Sequence, residues 1–256
     1  MRFVLSFLFL ILLAFASSTY AQNSKERNLS ISAGFNDYAN KDRLVSPFVY
    51  TVNSYPVYLE YEVKNSKFIR SFEISYFHGT ATTRTQNTRD THSGYMRFGY
   101  LRPVFRPSHN LSLHAGARIG AEMIIDQNSF STLHQNYIIN SSGYLALNTG
   151  LTANIEYKFS RRHSIAAVPY ISLLGYIYRP GYSLYHPTSI EEALENTSFG
   201  SYGNFLNTTA KLAYQYRLSE QIKLSLNYKL NYLRYEKPFE VRVLQNSLAL
   251  GVAVTL

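Results

Sequence analysis

The chain has 256 residues, no cysteine, no tryptophan and a formal charge of +9, with only 16% charged residues but 23 tyrosines and 16 phenylalanines. The missing cysteine excludes a disulfide framework, a thiolate metal site and a lipid-modified cysteine, so the chain must hold itself together by other means. The basic balance fits nucleic acid poorly for a chain that reads as exported; it fits the phosphates of lipid headgroups or lipopolysaccharide better.

Export is expected from the first 21 residues. Arg2 supplies a positive start, Phe3 to Ala16 an apolar run broken only by Ser6, and Ser17 to Ala21 a small-residue cleavage region with Thr19 and Ala21 at positions −3 and −1. The run is shorter than the ~18–20 residues that span hydrocarbon, which favours a cleaved signal over an anchor. A cut after Ala16 also fits; Gln22 is the chosen mature start. Removing 1–21 takes away Arg2 and no acid, leaving 24 − 16 = +8, and residues 22–256 read as one domain.

Beyond Gln22 the decisive pattern is alternation. Leu29–Phe35 opens it, with Ser30, Ser32 and Gly34 between the apolar positions. Val57, Leu59, Tyr61 and Val63 alternate with Tyr58, Glu60, Glu62 and Lys64. Phe72, Ile74 and Tyr76 oppose Ser71, Glu73 and Ser75, and Met96, Phe98 and Tyr100 oppose Arg97 and Gly99. The clearest segment is Leu111–Ile125, where Leu111, Leu113, Ala115, Ala117, Ile119, Ala121 and Met123 share one face and Ser112, His114, Gly116, Arg118, Gly120 and Glu122 the other. Every charge lies on one side, at period two. Leu145–Phe159 repeats this, with Asn148, Asn154, Glu156 and Lys158 on the polar side.

Ile165–Tyr178 is apolar on both phases and carries Pro169, so its facing is open. Thr208, Ala210, Leu212, Tyr214 and Tyr216 oppose Lys211 and Arg217. Ile222–Tyr232 sets Leu224, Leu226, Tyr228 and Leu230 against Lys223, Ser225, Asn227 and Lys229, and Leu248–Leu256 ends the chain in the same style. That makes ten segments near the ~9–11 residues of a tilted membrane strand. Short links at Asn65-Ser66, Phe105–Asn110, Ser160–Arg162 and Ser219–Gln221 alternate with longer ones at Asp37–Tyr55, Gly79–Ser93, Asp126–Ser142, Arg179–Gly203 and Glu236–Val241. The fold expected is all-β: a closed, antiparallel, up-and-down transmembrane barrel of about ten strands, apolar face to lipid and charged face inward. A secreted sandwich or lipocalin-like barrel would invert that facing, and its core would not accept this polar set.

The signal, the ten segments, the tyrosine bias and the terminal strand resemble the bacterial outer-membrane β-barrel class over essentially the whole mature chain. Leu256 departs from the aromatic residue that usually ends such chains, and the Asn and Tyr content with a start at Gln22 is similar to proteins of Bacteroidetes-type bacteria. The resemblance implies location in the cell outer membrane, with lipid and lipopolysaccharide as surroundings and an extracellular ligand or protein as unidentified partner.

Ten strands leave a narrow interior. His114, Arg118 and Glu122, with Glu60, Glu62, Glu73, Arg97, Glu156, Lys158, Lys211, Lys223 and Lys229, are expected to fill it as a ladder of charges compensated from the next strand; a proton path or ligand pocket is the sharper reading. Ten-stranded barrels include the omptin proteases, which activate water with Asp and His groups near the external loops. Asp90 with His92 and Asp126 with His134 offer such partners here, with His78 at a strand mouth, but no omptin-like signature surrounds them. A lipid hydrolase or acyltransferase would need a Ser–His pair with an acid, for which Ser112, His114 and Glu122 share a face.

Seven scattered histidines lack ligand spacing, so neither metal nor other cofactor is expected. Ser189–Asn196 has a capping-box opening for a short loop helix, and Tyr182, Tyr185, Phe199 and Tyr202 are candidate contact residues in the same external loop. The expectation is a structural, adhesive or ligand-binding surface barrel, with a rim hydrolase acting on lipid or peptide and a narrow solute channel as alternatives.

Overall fold

The computed structural model describes residues 25–43, 48–84, 88–105, 108, 110–129, 141–179, 197–236 and 240–256. The signal region, His134, Tyr182, Tyr185 and the proposed helix at Ser189–Asn196 lie outside them. Twelve antiparallel segments follow in chain order: β1 Glu26–Asp42, β2 Tyr50–Ser54, β3 Val57–Lys64, β4 Ile69–Thr82, β5 Thr88–Phe105, β6 Leu111–Ser129, β7 Ser141–Lys158, β8 His163–Tyr178, β9 Thr197–Ser201, β10 Phe205–Arg217, β11 Ile222–Tyr235 and β12 Val241–Thr255.

Two wall strands are split. β2 and β3 both lie between β1 and β4, separated by Tyr55-Pro56, where proline has no N–H to donate; its carbonyl still accepts from the Gly34 amide at 3.3 Å. β9 and β10 both pair β8 and are separated by a turn at 202–204, in which the Ser201 amide donates to Asn204 Oδ1 at 2.8 Å. Twelve segments less two breaks leave 12 − 2 = 10 wall strands, each hydrogen-bonded to its neighbours in sequence. β12 closes on β1 from Asn28↔Thr255 to Asp42↔Val241, so the barrel wall closes on itself.

The facing in the lower wall is the one the alternation predicts. Ile31, Ile119, Leu151, Leu224, Leu226, Leu248 and Leu250 point outward and are exposed, Leu250 by 70%. Glu73, Arg97, His114, Arg118 and Lys229 point inward and are buried. Ile165–Tyr178 is apolar on both phases because its phase changes: the β7–β8 register shifts between Thr149 and Gly150, so Leu173 and Leu174 are both exposed. Below that bulge, Ala153 and Asn154 keep their β6 partners but have none on β8, where Pro169 interrupts the ladder.

The expected long connections are shorter than the sequence suggests, because the strands run on through them. β1 and β2 occupy most of Asp37–Tyr55, and β4 and β5 most of Gly79–Ser93. Polarity hides these extensions because the alternation continues with its sense reversed. Outward positions become Asp37, Lys41, Asn53, Thr80, Thr82, Asp90 and Gln127, while Tyr38, Tyr50, Val52, Phe77, Ala81, Ile124, Tyr144, Ile177, Phe205, Leu233, Tyr235, Val241 and Val243 form a buried cluster inside. The upper part is thus a collar built like a soluble barrel. β6 has 19 residues, about 60 Å of contour and roughly 45–50 Å of height at a ~40° tilt, against an apolar band of ~25 Å. The collar core is closely fitted: a Cβ on Gly175 would meet the Phe205 ring at 2.5 Å, and one on Gly200 would meet Phe205 Cβ at 2.5 Å.

Candidate functional site: interior and mouth of the barrel

Three layers fill the interior. Nearest the short turns, a cup of about 130 Å³ is lined by Glu26, Glu60, Glu62, Lys64, Glu156, Lys158, Lys211 and Lys223, among others. Its charges pair across the lumen: Lys64 with Glu156, Lys223 with Glu26, and Lys211 with Glu60 at 2.6 Å. Lys158 lies 3.9 Å from Glu156 and is itself half exposed.

Above the cup sits a dense polar plug. Lys229 on β11 binds Glu73 on β4, which also accepts from Tyr95 Oη at 3.0 Å. The Lys229 ammonium lies 3.8 Å from the Tyr58 ring centroid, and Tyr58 Oη donates to Ser247 Oγ at 2.8 Å. Arg97 binds Glu122, stacks at 3.8 Å on Tyr95 and reaches Asn231 Oδ1 at 3.4 Å. Arg118 lies over the Tyr170 ring at 5.3 Å, and Tyr170 Oη donates to Asn148 at 2.6 Å.

Among the described ladder residues, compensation from the next strand, expected for the whole ladder, holds only for Arg97–Glu122. The other interstrand pairs of the cup and plug join β3 to β7, β3 to β10, β4 to β11 and β1 to β11, because a lysine and a glutamate together reach across so narrow a lumen. Each pair offsets a desolvation cost that neither charge could bear alone. Tyr58, Tyr95, Asn231 and Gln245 complete the plug. They lie on the inward phase of the same alternation, but as uncharged residues they carried no signal beyond it.

The third layer is the collar core, crossed by a buried ionic network. Asp126 is 2% exposed; its carboxylate lies 3.3 Å from Arg89, accepts from Thr91 Oγ1 at 2.7 Å and from Asn40 at 3.4 Å. Arg89 is also stacked on Tyr50 at 3.9 Å, and Arg179 binds Asp42.

The described candidate catalytic residues do not converge, and His134 lies outside them. Asp90 and His92 belong to β5, not to a loop, and face outward: Asp90 accepts from Thr80 at 2.8 Å, while His92 contacts Tyr76 Oη at 2.9 Å and stacks on His78 with centroids 4.4 Å apart. His78 sits on the outer face of β4, not at the mouth. Asp126 is on the opposite side of the wall, committed to Arg89. Glu122, the acid considered for Ser112 and His114, is held by Arg97. Among the described residues no Asp–His pair faces the mouth. Phe199 and Tyr202 are exposed, by 60% and 65%, on the outside of β9 and in the turn after it.

No family model matches this chain, and no curated protein matches it in sequence. Solved structures do. The outer membrane protease OmpT from Escherichia coli aligns over 93% of this chain and 99% of its own, with a TM-score of 0.61 at 9% identity. The translocator domain of the autotransporter NalP from Neisseria meningitidis aligns more loosely, over 98% of this chain and 95% of its own, at a TM-score of 0.46 and 9% identity. The likeness to OmpT establishes the fold of outer-membrane barrels and nothing about chemistry.

Proposed function

We propose that this chain is a non-conducting outer-membrane barrel that works at the cell surface through its collar, as a structural, adhesive or ligand-binding protein. The short turns then lie in the periplasm and the collar stands outside, as is general for such barrels. The observation that carries this reading is the interior, filled twice over: by the Glu73–Lys229–Tyr95 plug, then by the apolar collar core. A solute path needs a gap through both layers, and the cavity between them, beside Tyr38, Tyr95, Glu122 and Asn231, has about 20 Å³, one water's worth. The collar's outward surface is polar and carries exposed Phe199 and Tyr202, which suits contact with a partner.

Purified protein in a planar bilayer tests the reading. The expected trace is silent, in a preparation whose gel mobility shifts on boiling; discrete conductance steps in such a preparation would restore the channel alternative.

A further inference from the structure

On the outer wall near the short-turn end, Arg70 and Arg102 stand without a carboxylate among the described residues. Arg70 on β4 lies over the Phe68 ring at 4.6 Å and 5.6 Å from the Tyr100 centroid. Arg102 on β5 lies 5.7 Å from the same Tyr100 ring and donates from Nε to its Oη at 3.3 Å. Phe68 and Tyr100 are themselves stacked at 6.0 Å. The register sets Arg70 opposite Tyr100, so the four side chains form a checkerboard of cation and aromatic on one patch of the wall.

Both arginines are exposed, and among the described residues neither has an ion-pair partner, whereas Lys64, Lys211, Lys223, Lys229 and Arg97 in the interior all have one. Aromatic stacking holds each guanidinium in place while leaving its N–H edges open. Toward the middle of the wall the same face turns apolar, with Phe72 opposite Phe98 and Ile74 opposite Met96. On β6 the outward neighbours of Tyr100 and Arg102 are Ala117 and Ala115, and Ala115 faces Ala153 on β7, which leaves a shallow strip beside the rings.

We propose that Arg70 and Arg102 bind the phosphodiester of an anionic glycerophospholipid in the periplasm-facing leaflet, its acyl chains lying on the apolar wall above. Paired guanidiniums match phosphate oxygens in geometry and charge. The patch sits where the apolar band meets water, so a membrane lipid is presented to it at high local concentration and in the right orientation. Two uncompensated positive charges favour a lipid of net negative charge over a zwitterionic one. The inference rests on the barrel spanning the outer membrane with its short turns inward.

The experiment uses full-length mature protein refolded in mixed micelles holding equal amounts of phosphatidylglycerol and phosphatidylethanolamine, with retained lipid counted by native mass spectrometry. The wild type is expected to keep phosphatidylglycerol about tenfold or more over phosphatidylethanolamine. Arg70→Gln/Arg102→Gln should bring the ratio close to one, while Arg234→Gln/Arg242→Gln at the collar end should leave it unchanged. Arg70→Lys/Arg102→Lys keeps charge but loses the stacked fork, and should fall between.

Inorganic phosphate at millimolar concentration should not displace the lipid. Displacement would turn the site into one for free phosphate and overturn the lipid assignment. A wild type without preference, or a Gln/Gln variant with wild-type preference, would overturn the proposal itself. Heat-dependent mobility of each variant, read on the same samples, reports separately on the membrane-barrel reading.

Discussion

Among single residues, Lys229 carries the most consequence. It is buried against Glu73, with the Tyr58 ring beneath it and Tyr95 sharing the carboxylate. Lys229→Met leaves Glu73 as an uncompensated charge beside Tyr95, and loss of one partner of a buried pair costs about 3–5 kcal/mol. Lys229→Met/Glu73→Gln removes both charges and should recover most of that loss. Urea unfolding of the refolded barrel in vesicles checks both. A double variant no better than the single would mean that the pair contributes net stability rather than merely neutralising two buried charges.

For wall strands, the sequence made legible what repeats and hid what changes. β6 and β7 read clearly because their apolar and polar faces keep one phase for most of their length, and Arg118, Glu122 and Glu156 follow from that phase alone, as Arg97 on β5 and Lys229 on β11 follow from theirs. Two features were hidden. The bulge at Leu173-Leu174 switches phase within β8, so apolar residues fall on both tracks. The collar ends of β1, β4 and β5 reverse inside and outside, so Asp37, Thr80, Asp90 and His92 look like loop residues although they are wall.

Which charges meet was also beyond reach, because period two fixes a face and not the strand across the lumen. The reversal makes its own test. Leu250→Lys places a charge in the apolar band and should cost about 2–4 kcal/mol, whereas Thr80→Lys on the collar should change stability by less than about 0.5 kcal/mol. Refolding yields and urea midpoints for the two variants decide it; equal penalties would argue against a collar outside the membrane.

Across the whole molecule, the two fillings lie in series, and each is expected to block the lumen alone. Opening the collar core with Tyr38→Ala/Phe205→Ala should leave a planar bilayer silent, because the polar plug below remains. Opening the plug with Tyr95→Ala/Lys229→Ala should also leave it silent. Only the quadruple variant is expected to conduct, provided its mobility still shifts on boiling; current through either pair alone would show that one layer does all the sealing.

The reversal of facing partway up the wall also sets a waterline. Were the barrel to sink, Asp37, Thr80 and His92 would enter hydrocarbon; were it to rise, Ile31, Leu224 and Leu250 would leave it, and both displacements are opposed. The protein therefore floats at one depth, with its rim held about 20 Å above the apolar band. Anything that meets it from outside meets it at that standoff.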